Sequence, residues 1–340
     1  MNSIADSPQQ VQPASLRRKK RPFAFNVLLL GAGVLAALLA GEWMCRKMGF
    51  DEVYRQGLYS PVTDPELRYG LTPNHHSTSY GAPVVINELG YRQPPFAANR
   101  TPDVFRIVCV GDSFTFGMGV RQEKSWPARL GTRLAPPPGY SRVEVINAGV
   151  PGYNLKQYCR AVATQALDLQ PDLILMGIVE NDLEKSYFVE NGYLCVPRKK
   201  TSMPIPGKRW LQTHSDLYQA INLKYQAWMA ARLKVYNPTL AREVLYGDGQ
   251  PEKRDETVAQ LAACRKLVRD RGSDLKVVQF ALSAESPLPE IVRRAEVPTL
   301  PLDLNAPHLR LADGHPNAQG HDRFAGQIAT WLGTSPIESR

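Results

Sequence analysis

Three short apolar runs, residues 105–110, 143–146 and 173–178, are separated by stretches whose apolar side chains recur at loosely helical spacing. Continuous apolar character reads as strand buried on both faces, because a half-exposed strand would alternate apolar with polar. Strands alternating with helices predict a parallel sheet covered on both sides. The first helix is expected to start at Ser125 and run through Trp126, Ala128 and Leu130 to Leu134, before the prolines at 136–138. Asn154 is placed to cap the second, whose face carries Leu155, Ala161, Val162, Ala166 and Leu169 ahead of Pro171. Residues 257–271 read as another helix and residues 275–281 as a fourth strand, with Ser286 and Pro287 opening a short helix.

In open parallel sheets, ligands bind outside the carboxyl ends of the strands. Ser113, Gly149 and Asn181 each follow the end of one of the three runs. The sequence thus places three chemistry-capable loops on one edge. Ser113 stands in Gly111-Asp112-Ser113, where a hydroxyl thrust out of a buried strand can act as a nucleophile if a base is within reach. The plainer reading is a capping turn that opens a helix.

A base is available near the far end, where His315 lies in Asp313-Gly314-His315-Pro316-Asn317. Glycine and proline frame the loop rigidly, and Asp313 is spaced to orient the imidazole. Chance placement in the turn that Asn317 caps, before a helix carrying Phe324, Ile328, Ala329 and Leu332, is the plainer alternative. Asp303, in a Pro-flanked segment, competes as the orienting acid only if the chain doubles back. A zinc site from Asp313, His315 and His321 fits no common ligand spacing. The adjacent His75 and His76 read as a solvated loop pair.

The net charge of +9 suggests nucleic acid until its distribution is examined. Arg17, Arg18, Lys19, Lys20 and Arg21, against Asp6, put +4 of it in residues 1–22. The apolar run 23–41 follows, long enough to span roughly 28 Å as a helix, close to a bilayer core. It exceeds a signal-peptide core, and Leu38-Leu39-Ala40 is a poor cleavage site. A retained single-pass anchor over 23–43 in the inner (plasma) membrane is therefore favoured. The basic tail, 1–22, then lies in the cytoplasm and the rest of the chain in the periplasm or outside the cell. Nucleic acid is not an expected partner.

Residues 44–103, broken by seven prolines, read as a stalk and wrapping segment with a short strand at 84–86. The main domain is expected over 104–333, with an aromatic-rich insertion at 183–256 and a tail at 334–340. The insertion, with a helix from about 215 to 235, reads equally as a lid beside the site or as packing. Five cysteines give no secreted-type framework, although a bridge from Cys159 to Cys195 is open.

Gly111-Asp112-Ser113, Gly149 of Asn-Ala-Gly-Val-Pro-Gly, Asn181 of Asn-Asp and His315 of His-Pro-Asn occur in the order of the four blocks of the GDSL, or SGNH, hydrolases, and the chain resembles that family. The resemblance implies an α/β, three-layer flavodoxin-like fold and no cofactor. It also implies Ser113 as nucleophile, His315 as base, and an oxyanion hole from the Ser113 and Gly149 N–H groups with the Asn181 amide. Three departures stand out. Phe114 replaces a leucine, Val179 stands where glycine is usual, and Ala312 occupies the usual acid position three residues before the histidine. The Asp-x-His spacing of Asp313 resembles relatives that move acetyl groups on exopolysaccharides. The resulting expectation is an extracytoplasmic serine esterase acting on an acyl, favouring acetyl, ester of envelope or secreted polysaccharide. Its rivals are an O-acyltransferase using the same triad and a degenerate family member serving as a scaffold.

Overall fold

The structure is a computed structural model. It describes residues 23–48, 57–79, 81–183, 187–190, 193–195, 207–218, 220–222, 224–225, 228, 251–280, 282, 284, 286–304, 306–311 and 314–334. Two compact units divide the chain at residues 44 and 45. The first carries most of helix α1, Phe23–Lys47, which is long and apolar enough to cross a membrane. A signal sequence passes the same test.

The second unit is built on a five-stranded parallel sheet. Strands β1 (Tyr59–Pro61) and β2 (Tyr69–Leu71), then β3 (His76–Ser79) and β4 (Ala82–Val85), form antiparallel pairs ahead of it. The sheet uses β5 (Val104–Gly111), β6 (Arg142–Gly149), β7 (Leu173–Ile178) and, after the short pair β8 (Phe188–Glu190) and β9 (Tyr193–Cys195), β10 (Asp274–Phe280) and β11 (Thr299–Leu302). Their spatial order is β6-β5-β7-β10-β11, the flavodoxin-like arrangement in which the order reverses between the first strand and the third. Every residue of β5, β7 and β10 is buried.

Alternate side chains of these strands enter two separate cores, as a pleat of period two requires. Val108, Val110, Ile174 and Met176 face Leu155, Tyr158, Leu261 and Leu288 on one side. Ile107, Cys109, Leu173 and Leu175 face Trp126, Leu130, Phe324 and Ile328 on the other. The flanking helices are α3 (Trp126–Gly131), α4 (Leu155–Ala161), α6 (Pro251–Asp270), α7 (Leu288–Arg294) and α8 (Ala318–Thr334). The result is three layers. Each fully buried Leu, Ile or Val in them contributes about 1.5–3 kcal/mol relative to exposure.

Several sequence expectations shift on the structure. The helix expected from 154 to 169 is α-helical only to Ala161. It then widens into a π segment, Val162–Ala166, and tightens over Leu167–Leu169. The wider turn re-phases the apolar face, which is why its spacing was only loosely helical. Ser125 precedes α3 without capping it; its hydroxyl donates to the Gln122 carbonyl at 2.7 Å instead. Cys159 is a free buried thiol, so no Cys159–Cys195 bridge exists. A hydrogen bond with Cys264 and burial hold it well above the usual thiol range. The stalk and wrapping segment donates Leu58, Tyr59, Leu67, Tyr69, Leu71, Val84 and Ile86 to the first core. Of the helix expected from 215 to 235, residues 216–218, 220–222, 224, 225 and 228 are helical, Ser215 is extended, and the others lie outside the described residues.

Candidate active site

Strand β5 ends at Gly111, whose register partners are Gly149 on β6 and Gly177 on β7. The carboxyl ends of three adjacent strands therefore open side by side. Asp112 follows, and its Oδ1 accepts from the Phe114 N–H at 2.9 Å, capping a single helical turn, α2 (Ser113–Phe116). Gly117 ends this turn at φ 86, the left-handed region that glycine enters without strain. Ser113 is thus the first residue of a turn held at both ends, where its N–H has no intrahelical acceptor.

His315 reaches the same place from the other end of the chain. Its carbonyl accepts from Leu311 N–H at 2.7 Å, and Pro316 bridges to Arg310, so the loop is pinned before α8 begins. His315 Nε2 lies 2.8 Å from Ser113 Oγ. Phe114 packs on the imidazole, with ring centroids 5.3 Å apart, and on Phe280 at 5.9 Å. The bulk that departs from the family's leucine thus forms a wall for the histidine.

Ser113 Oγ also donates to Asp112 Oδ2 at 3.1 Å. Asp112 is buried, and burial raises its carboxyl above the usual range against the pull of the Phe114 N–H and His315. The serine carries one proton, so Asp112 and His315 compete for it.

Asn181 stands half-buried in the turn after β7. The next residue, Asp182, builds that turn. Its Oδ2 accepts from Val179 N–H at 2.8 Å, its Oδ1 from the Tyr158 hydroxyl at 2.7 Å, and its carbonyl from Leu155 N–H at 3.0 Å. The sequence reading passed over Asp182 as half of an Asn-Asp pair. An acid four residues after the end of an apolar strand, able to accept from a backbone N–H three residues before it, was the available signal.

Gly149 closes β6 beside the Ser113 turn. Its N–H donates to Asn147 Oδ1 at 3.0 Å, within its own strand. What the position requires is the absence of a side chain: a Cβ there would lie 2.8 Å from Thr115 C and 2.9 Å from Phe116 Cα. Gly149 lets the Ser113 turn pack directly on β6.

Asp313 lies outside the described residues. Asp303 follows β11 and is exposed. His321 is buried and its Nδ1 accepts from Trp126 N–H at 3.2 Å. Burial, then Arg92 and His315, push it down to about 3, so it is neutral and structural. Among the described residues no cluster of three His, Cys, Asp or Glu side chains could hold a metal. A cleft of about 460 Å³ opens beside the β3–β4 hairpin, lined by residues such as Asn74, His76 and Arg121, and it contains neither Ser113 nor His315. The hydrogen-bonded pair lies outside that cleft.

The family model for the GDSL-like lipase/acylhydrolase family matches residues 109–323. Among solved structures, the chain is similar to TesA at 16% identity and TM-score 0.40, covering 68% of this chain and 99% of that one. It is similar to a catalytic mutant of an acetylxylan esterase from Geobacillus stearothermophilus at 15% identity and TM-score 0.37, covering 69% and 97%. A two-domain esterase active on acetylated mannans is similar at 13% identity and TM-score 0.39, covering 68% and 50%. No curated protein matches the chain.

Proposed function

This chain belongs to the GDSL-like lipase/acylhydrolase family, and from that premise we propose that Ser113 and His315 hydrolyse an acyl ester through an acyl-enzyme. The family makes the chain an ester-hydrolysing enzyme. The observation that supports these two residues as its machinery is the 2.8 Å contact between His315 Nε2 and Ser113 Oγ. As Oγ attacks the ester carbonyl, its proton passes to Nε2. His315 then gives that proton to the departing alkoxide, leaving the acyl group on Ser113. Water, deprotonated by the same nitrogen, releases the acid and restores the serine.

Charge develops on the carbonyl oxygen, and the donors proposed for it are the Ser113 N–H and the Asn181 side-chain amide. The Gly149 N–H joins them only by leaving Asn147 Oδ1. Asn181→Ala should lower kcat by about 10²–10³-fold with little change in KM, because the donor acts on developing charge. A steady-state titration showing unchanged kcat would remove Asn181 from the site.

The proposed substrate is an acetyl ester on an envelope or secreted polysaccharide. Its support is the anchor, which would hold the site at the membrane surface where such polymers are made. The deciding experiment incubates the full-length chain in detergent with p-nitrophenyl acetate, butyrate and octanoate. Fastest release from acetate supports the reading, and fastest release from octanoate overturns the acetyl assignment. Adding a sugar acceptor and finding acylated sugar would assign a transferase instead.

For location, we propose that α1 is retained as a single span with the second unit outside the cytoplasm. A reporter active only in the periplasm, fused after residue 50, should be active. A mature N-terminus found near residue 41 by mass spectrometry would replace the anchor with a cleaved signal.

A further inference from the structure

Arg92 comes from the loop after β4, upstream of the residues that the family model matches. Its side chain is fully buried. Nη1 donates to the carbonyls of Phe116 at 2.8 Å and Gly117 at 2.5 Å, and Nη2 to Val120 at 2.6 Å and Pro83 at 3.2 Å. The guanidinium carbon lies 4.5 Å above the Phe116 ring. Phe116 is the last residue of the turn that Ser113 begins, and Gly117 is its cap. The free carbonyls at the end of that turn thus find their donors on one rigid, five-donor group.

Gln93 extends the clamp to the neighbouring strand, where its Oε1 accepts from Asn147 N–H at 2.8 Å. Asn147 in turn donates to the Phe116 carbonyl at 3.3 Å and accepts from Gly149 N–H at 3.0 Å. One loop therefore ties the nucleophile turn to the strand end beside it.

Packing alone does not explain an arginine here. No carboxylate forms an ion pair with Arg92 among the described residues. Burial lowers it to about 10, which leaves it charged at neutral pH. Burying an unpaired charge is costly, and an apolar side chain of similar volume usually fills such a space with less penalty. A guanidinium makes sense if the carbonyls it holds must stay in one place.

We propose that Arg92 is a positioning residue, which sets the attack geometry of Ser113 by holding the carbonyls of Phe116, Gly117 and Val120. The inference rests on Ser113 being the nucleophile. Displacing a reacting group by about 1 Å costs on the order of 10²-fold in rate. Lysine can offer its point charge to some of these carbonyls but cannot match the planar fork.

The test compares Arg92→Lys, Arg92→Met and Ser113→Ala with the wild type, all full length in detergent. It measures kcat and KM on p-nitrophenyl acetate, the rate at which a fluorophosphonate labels Ser113, and the Tm of each protein. Arg92→Met should lower kcat and the labelling rate by about 10²-fold with KM changed by no more than about twofold, and Arg92→Lys should recover part of the loss. Assay well below each Tm separates displacement from unfolding, and if Arg92→Met does not fold, Arg92→Lys decides alone. A folded Arg92→Lys with wild-type kcat overturns the proposal, as does a loss that disappears below the Tm. Ser113-dependent hydrolysis with that outcome sinks the role of Arg92 alone. Hydrolysis that survives Ser113→Ala sinks the nucleophile assignment and the proposal with it.

Discussion

Ser113→Ala and His315→Gln should each lower kcat/KM for p-nitrophenyl acetate by at least about 10⁴-fold, and the double variant should be no slower than either single one. The serine is a weak nucleophile without a base to take its proton, and without the serine the base has no proton to take. Residues that act as one unit lose their function together, so their effects do not add. The side chains meet at 2.8 Å although 202 residues separate them in the chain. Neither change should reach the cores: Ser113 is 8% exposed at the mouth of the sheet, and His315 is half-buried on a loop. Kinetics on purified variants with unchanged Tm make the measurement. Activity above about one hundredth of wild type in Ser113→Ala would show that the reaction does not pass through an acyl-serine.

Asp313→Asn should cost up to about 10⁴-fold in kcat, and Asp303→Asn should be nearly silent. Asp313 and His315 are two residues apart, so in extended backbone they share a side, whereas in a helix they would diverge. Gly314 at φ 95 and Pro316 after the histidine both exclude helix there. The asparagine keeps the size of the acid but favours the imidazole tautomer that cannot accept the serine proton. Asp303 enters from the end of β11 and is exposed, where solvent screens its field. Reversed results would make the triad Ser113, His315 and Asp303. Two silent variants would leave a dyad in which no carboxylate orients the base.

The fold was legible where burial forces the pattern. Strand β7 is buried on both faces and reads as an unbroken apolar run, β5 is interrupted only by Arg106, β10 buries Asp274, Lys276 and Gln279 among its apolar residues, and Asn154 and Gln157 form the capping box that opens α4. β11 went unread because Pro298 precedes it and Pro301 lies within it. An edge strand has one side without a sheet partner, and a proline lacking its N–H is tolerated there. Of the N-terminal hairpins only β4 was expected, at residues 84–86, and the rest was obscured for a similar reason. Their strands are only three or four residues long, too short to show a period, and long-range contacts such as the Tyr69 hydroxyl to the Pro151 carbonyl at 3.0 Å hold them.

For the site, four block residues in order were enough to identify the family, because each chemical type stands at the end of a strand or on the final loop. By itself the sequence determined the parallel sheet, the edge on which its loops gather and the apolar N-terminal helix. Tertiary structure decided how the loops are held. Asp182 builds the Asn181 turn, the Gly149 N–H turns to Asn147, and Arg92 closes the nucleophile turn from outside the family region. Local pattern records which face of an element is buried. A buried donor, by contrast, is satisfied by whichever carbonyl the fold brings within about 3 Å, and that partner leaves no periodic trace in the chain.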